Sequence, residues 1–308
     1  MQKRALCTLC ALLAAAPCTN AQSGGQTVSK AVLVTGTSSG IGRKITERLA
    51  ADGYFVYATA RKEEDLKALG ALSNVQPLHL DVTQPADIAA AVAAVSKAGR
   101  GLYALVNNAG VGTEGTIADM SPEEFDLCMK VNVYGPVMMI KAFEPLIIAQ
   151  KGRVINIGSI SGILASPVLP AYVMSKHAIE GLTDSLAAQL APLGVEVSVI
   201  EPGNYRSDIV KSMLQRLGPA LRAEAGKDES LHYPEPDDVA VAVEHALFEP
   251  GPKRRYLVTW SQNQAERTIR KQIEQLVQLN EGQPHTYERA DLIKMLDEAL
   301  STSRPRTK

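Results

Sequence analysis

Tyr172 and Lys176 stand four residues apart in Tyr172-Val173-Met174-Ser175-Lys176. On a helix this spacing puts a phenol and an ammonium on one face. A cation beside a phenol stabilises the phenolate and lowers its pKa from about 10, which would let the pair exchange a proton with an oxygen. The same spacing is common on plain helix surfaces and is not diagnostic alone. A second feature is the turn Gly36-Thr37-Ser38-Ser39-Gly40-Ile41-Gly42. Glycines there would let the backbone approach a pyrophosphate, and a helix opening in the turn would offer N–H donors and its positive dipole end. Its G-x-x-x-G-x-G spacing differs from the G-x-G-x-x-G fingerprint, and a glycine turn after a strand is as often structural as functional. Ser159 lies in Gly158-Ser159-Ile160-Ser161-Gly162. A hydrolase elbow is excluded, because G-x-S-x-G needs serine where Ile160 stands. The five histidines (His79, His177, His232, His245, His285) are scattered, and three of the four cysteines lie in the first eighteen residues. No metal site is expected from such spacing. Cys128 reads as a packed helix residue and His177 as structural.

These groups need elements to bring them together. Seven apolar, β-rich runs read as strands: Ala31–Thr35, Tyr54–Thr59, Val75–Leu80, Leu102–Val106, Arg153–Gly158, Val195–Ile200 and Arg255–Thr259. Helical periodicity follows Gly42 and covers Glu63–Leu72, Pro85–Ala98, Leu169–Ala191 and Pro236–Phe248. A long helix should start at Ser121-Pro122, with serine as cap and proline in the first turn. Strands without clean alternation are expected where both sheet faces are covered. The pattern predicts an α/β fold, a doubly wound parallel seven-stranded sheet. Ligands of such sheets bind beyond the carboxyl ends of the strands. Gly36–Gly42, Asn107-Asn108-Ala109-Gly110, Ser159 and Pro202-Gly203 all fall there. The tail from Ser261 carries two amphipathic stretches, Ile269–Leu279 and Leu292–Leu300. The expected organisation is a leader and linker over 1–27, one catalytic domain over 28–260 and a helical extension over 261–308.

Of 308 residues, 45% are apolar, and 32 basic residues balance 33 acidic ones. This composition excludes a disordered or collagenous chain and does not favour nucleic acid or an anionic membrane as partner. Lys3 and Arg4 precede the apolar run Ala5 to Ala16, with Ala21 before Gln22. This resembles a secretory leader and is too short to span a bilayer. A later start of translation or an uncleaved arm are the alternatives. Removal of 1–21 leaves no membrane span in the reading and Cys128 as the sole cysteine.

Taken together and in this order, the glycine turn, Asn107–Gly110, Ser159 and Tyr172-x-x-x-Lys176 resemble the classical short-chain dehydrogenase/reductase family. The resemblance covers roughly Ser29 to Thr259 and lies nearest the hydroxysteroid and retinol dehydrogenase branch. It implies a Rossmann fold and an oxidoreductase acting on a lipophilic ketone or secondary alcohol. By position it implies Asn132, Ser159, Tyr172 and Lys176 as the catalytic set. Tyr172 would be the general acid or base, its pKa lowered by Lys176. Ser159 would donate to the substrate oxygen, Lys176 would also hold the nicotinamide ribose, and Asn132 would hold a water that extends a proton relay. It assigns to the cofactor Gly36, Thr37, Ser38, Ser39, Gly40, Ile41, Gly42, Arg61, Asp81, Val82, Asn108, Ala109, Gly110, Tyr172, Lys176, Pro202 and Gly203. Asp81 also reads as a turn-capping residue.

An acid at the end of the second strand suits NAD, whereas an arginine suits the 2′-phosphate of NADP. Ala60-Arg61 therefore favours NADP over NAD. Ser207 stands near where many relatives place a cofactor-contacting threonine, and that departure leaves the contact open. The stretch Asp208–Tyr233 should form a lid, with Ile209, Met213, Leu214, Leu217 and Leu221 either lining an apolar pocket or packing on the domain. The surplus of apolar residues in Val131, Val133, Val137, Met138, Met139 and Ile140 predicts a homodimer or homotetramer. The leader suggests export, whereas NADP dependence suggests the cytoplasm. The alternative function is a non-catalytic NADP-binding regulator on the same fold, which the complete catalytic set disfavours.

Overall fold

The computed structural model describes residues 30–216 and 229–303. Seven parallel strands form one sheet in the order β3-β2-β1-β4-β5-β6-β7. They are β1 (Ala31–Val34), β2 (Phe55–Ala60), β3 (Val75–His79), β4 (Ala104–Asn107), β5 (Arg153–Ile157), β6 (Glu196–Pro202) and β7 (Arg255–Val258). The expected doubly wound architecture is the one observed. Every residue of β1, β4 and β5 is buried, so these strands carry apolar side chains on both faces. Leu33, Leu105 and Val154 enter one core, with Phe143, Met139 and Leu186. Val32, Val106 and Ile155 enter the other, with Ile45, Leu49 and Val243. The period of two in a strand divides them in this way.

Helices cover both faces. α1 (Gly40–Ala51) and α8 (Asp237–Phe248) pack on one side. α3 (Pro85–Ala98), α5 (Gly135–Ala149) and α6 (Pro170–Leu190) pack on the other. α2 (Glu63–Gly70) follows β2. The long helix starts as expected, with Ser121 accepting from the Glu124 N–H at 3.2 Å and Pro122 in the first turn. α4 (Pro122–Met129) continues through a π-helical turn, Lys130–Tyr134, into α5. By length and composition alone this run could cross a bilayer, and 44% of its apolar window is buried. Of its apolar surplus, Val131, Met139 and Ile140 face the core, while Val137 and Met138 are exposed.

Past β7, the first turns of α9 (Gln262–Asn280) are tied back by Gln264 Oε1, which accepts the Asn204 N–H, and Thr268 is fully buried. The remainder of α9 and α10 (Arg289–Ser303) leave Ile273, Leu276, Ile293 and Leu296 exposed. Of the expected lid, α7 (Ile209–Arg216) and a short 3-10 turn, Glu229–His232, are described. Leu217, Leu221 and the leader lie outside the described residues.

Candidate active site

The crevice opens where the strand order reverses, between β1 and β4. Gly36 and Gly40 have positive φ, +69° and +56°, which glycine adopts without strain. A Cβ on Gly36 would stand 2.8 Å from the Ala109 Cα, and one on Gly40 would stand 2.9 Å from the Ser207 Cβ. A Cβ on Gly42 would run into the Gly36 carbonyl and the Asn108 carboxamide. The turn is also tied at both sides. The Thr37 N–H donates to the Thr59 carbonyl at 2.9 Å, and the Gly36 N–H to Thr59 Oγ1 at 3.3 Å. Asn108 Nδ2 donates to the carbonyls of Thr35 and Gly36 at 2.8 and 2.9 Å. Thr35 Oγ1 in turn accepts from the N–H groups of Asn108 and Ala109. Asn108 is thus a clamp on the turn. Thr35 and Thr59, the other two clamps, were not singled out from sequence, because a threonine at a strand end carries no signal of its own.

The residues present fit a dinucleotide. Ser39 ends the turn without a side-chain cap on α1, so its hydroxyl does not compete for the first-turn N–H donors. Arg61, at the end of β2, is exposed and lies 3.8 Å from Asp81. Burial raises the Asp81 pKa, but the Thr83 N–H and hydroxyl, with Arg61, outweigh it and hold the carboxyl below its ordinary value. Asp81 caps its turn, as one of the two readings expected. Val82 is buried against Gly135. Gly110 lies 3.4 Å, by its would-be Cβ, from Asn132 Oδ1. Pro202 pairs with Val258, and the Gly203 N–H donates to the Val258 carbonyl at 2.8 Å.

Across the crevice, the phenol of Tyr172 is hydrogen-bonded to Ser159. The Ser161 N–H donates to Ser159 Oγ at 3.0 Å, which fixes the hydroxyl rotamer. Lys176 is buried, and its Nζ donates to the Ile157 carbonyl at 2.8 Å, 5.6 Å from the centre of the Tyr172 ring. The electrostatics differ from the sequence expectation. Burial pushes the Tyr172 pKa up to about 12, and the bond from Ser159 offsets only part of it. Burial pulls Lys176 down to about 8. Loss of water around the phenol sets the direction of this shift, with the Lys176 ammonium 5.6 Å from the ring centre.

Asn132 sits in the π turn and is buried. Its Oδ1 accepts from the Val111 N–H, and its Nδ2 donates to the Val111 carbonyl and to Ser175 Oγ. Ser175 Oγ donates to the Tyr172 carbonyl at 2.7 Å. The carboxamide is therefore a strut from the β4 loop to the Tyr172 helix, with its N–H groups already engaged. Ser175 was missed, because within Tyr-x-x-x-Lys it occupies an unmarked position.

Residues 30–217 match the family model described as short chain dehydrogenase. The chain belongs to the short-chain dehydrogenase/reductase family. It is 34% identical over 263 residues to mitochondrial D-beta-hydroxybutyrate dehydrogenase of Bos taurus, covering 74% of this chain and 76% of that one. It is 33% identical to 11-beta-hydroxysteroid dehydrogenase type 2 of Homo sapiens, covering 74% and 64%. Against retinol dehydrogenase 5 of Mus musculus the identity is 34%, covering 74% and 80%. A short chain dehydrogenase/reductase from Burkholderia phymatum, solved with NAD, superposes with a TM-score of 0.69 at 25% identity, covering 84% of this chain and 98% of that one. The actinorhodin polyketide ketoreductase, solved with NADPH, gives 0.67 at 27%, covering 75% and 95%. Like its relatives, this short-chain dehydrogenase is a nicotinamide-dependent oxidoreductase acting on hydroxyl or keto groups.

Proposed function

We propose that the protein reduces a lipophilic ketone, or oxidises the matching secondary alcohol, with NADP(H). The observation that carries this reading is the meeting of Tyr172, Ser159 and Lys176 at the end of β5, facing the clamped glycine turn. A bound nicotinamide dinucleotide supplies the two-electron donor or acceptor. The chain supplies the proton and the charge stabilisation. Tyr172 Oη gives its proton to the substrate oxygen in reduction and takes it back in oxidation. Ser159, whose lone pair is engaged by the Ser161 N–H, turns its own proton to that oxygen. Lys176 spends one N–H on Ile157 and keeps the others for the ribose hydroxyls. Asn132 and Ser175 hold the Tyr172 helix at its distance from the β4 loop.

NADP is favoured by Ala60, which places no carboxylate at the end of β2, and by the exposed Arg61 guanidinium beside it. The lipophilic class is favoured by Ile209 and Met213, which pack over Gly112 beside the crevice. A cleft of about 330 Å³ begins one residue past Ser159 and includes Ile160, Leu164 and Trp260. The exposed Tyr134, Val137 and Met138 on the long helix favour a homodimer or homotetramer, which light scattering measures. Consumption of NADPH in the presence of a panel of steroidal, retinoid and short-chain ketones tests the activity. NADPH binding with no turnover on any of them would make the protein a non-catalytic binder instead.

A further inference from the structure

Behind the site, two acids meet in the interior. Glu180 lies one helical turn beyond Lys176 and two beyond Tyr172, on the same face of α6. Glu201 lies in the buried run of β6, directly before its last residue, Pro202. Their side chains are 12% and 3% exposed. The charged groups around them are few. Arg255 of β7 is 3.2 Å from Glu180 and 3.7 Å from Glu201, but it also binds Asp184 of α6 at 2.7 Å. Lys176 of α6 feels the Glu180 charge, and Arg254 acts on Asp184. One guanidinium thus serves three carboxyl groups. Neither Glu180 Oε1 nor Glu201 Oε1 has a donor among the described residues, yet the two carboxyls are within hydrogen-bonding reach of each other. Two buried carboxylates in contact cannot both ionise, and a single proton between them completes the bond.

This pair touches the catalytic loop. A Cβ on Gly158 would stand 3.1 Å from Glu180 Oε1, and one on Gly162 would stand 3.0 Å from it. Those two glycines bracket Ser159, and the Gly162 N–H bonds the Ser159 carbonyl at 2.8 Å. We propose that Glu180 and Glu201 share one proton and together act as positioning residues for Ser159, so that turnover depends on that proton. Burial and the facing Glu180 push Glu201 up to about 7, and burial raises Glu180 as well. Loss of the proton sets two carboxylates against each other and drives Glu180 into the backbone at Gly158 and Gly162.

The inference rests on the proposed ketone reduction, and two measurements keep them apart. With saturating NADPH and ketone, wild-type kcat falls several-fold as the pH rises through about 7. Glu201→Gln and Glu180→Gln each keep a hydrogen bond without a second charge. Both should lose that limb and retain only the fall set by Lys176 near 8. An unchanged limb in both variants overturns the proposal. Thermal denaturation of the full chain needs no substrate. A carboxyl raised in the native state binds its proton more tightly when folded, so stability falls as the pH rises from the ordinary glutamate value of about 4.3 to about 7. The melting temperature of Glu201→Gln should therefore climb relative to wild type across that window and then level off. A difference independent of pH overturns the shared proton. If no ketone is reduced, the proposed function fails while the melting curves still decide the pair.

Discussion

The nucleotide wall of the crevice, from β1 to β4, presents backbone atoms clamped by buried and half-buried side chains, whereas the opposite wall, from Asn204 to α9, is held by partly exposed side chains. On the first wall, Thr35, Thr59 and Asn108 bond main-chain groups of the turn, and three glycines leave no room for a Cβ. On the second, Gln264 accepts the Asn204 N–H, and Trp260 Nε1 donates to the Asn204 carbonyl at 2.7 Å while half of its surface is exposed. A wall made of backbone tolerates little substitution, because its donors are fixed by the fold. A wall made of side chains can change residue by residue without disturbing the sheet. In the proposed function, cofactor binding belongs to the first wall and substrate choice to the second.

The largest break in this contrast should come from Gly42→Ala. Its methyl group meets the Gly36 carbonyl and the Asn108 carboxamide, so the clamp must open. We expect loss of NADPH binding in a fluorescence titration and a destabilisation of about 3 kcal/mol, the upper end for overpacking, by denaturant unfolding. Retained nanomolar or micromolar affinity would show that the turn is softer than the geometry implies.

Tyr172→Phe comes next and separates chemistry from binding. It keeps the ring and removes the proton donor, so kcat should fall at least ~10²-fold with the NADPH affinity nearly unchanged. The same variant checks the electrostatics. Without cofactor, the phenolate absorbance difference between wild type and Tyr172→Phe should stay flat until the pH approaches about 12. A rise near pH 8 would show that Lys176 lowers the phenol pKa after all.

Cofactor choice should respond more gently. Ala60→Asp with Arg61→Ala replaces a phosphate partner by a carboxylate that repels it. The ratio of kcat/KM for NADPH and NADH should move by roughly a hundredfold toward NADH, about two charge contacts of ~1.4 kcal/mol each. Equal use of both cofactors by the wild type would remove the premise.

The smallest effect belongs to the side-chain wall. Trp260→Ala removes one partly exposed hydrogen bond to Asn204. Stability should change by about 1 kcal/mol or less, and the ketone KM should shift while the NADPH affinity holds. An equal loss in both would mean that the two walls are not independent.

The strand runs, the glycine turn and the Tyr172–Lys176 spacing were legible in the chain because each is local. Period and turn chemistry act over a few residues, and they placed the seven strands and the carboxyl-end loops correctly. Four things came only from tertiary structure. Asn132 became a strut because Val111 and Ser175 arrive from other segments to take up its carboxamide. The Tyr172 pKa is raised because packing at the end of β5 takes the phenol out of water. Thr35 and Thr59 became clamps because parallel pairing lays β2 and β4 on either side of β1. Glu180 and Glu201, twenty-one residues apart in sequence, meet because α6 packs on β6. Hydrophobic periodicity is a property of neighbouring residues, whereas desolvation and hydrogen-bond partnership depend on which distant segments the sheet order brings into contact.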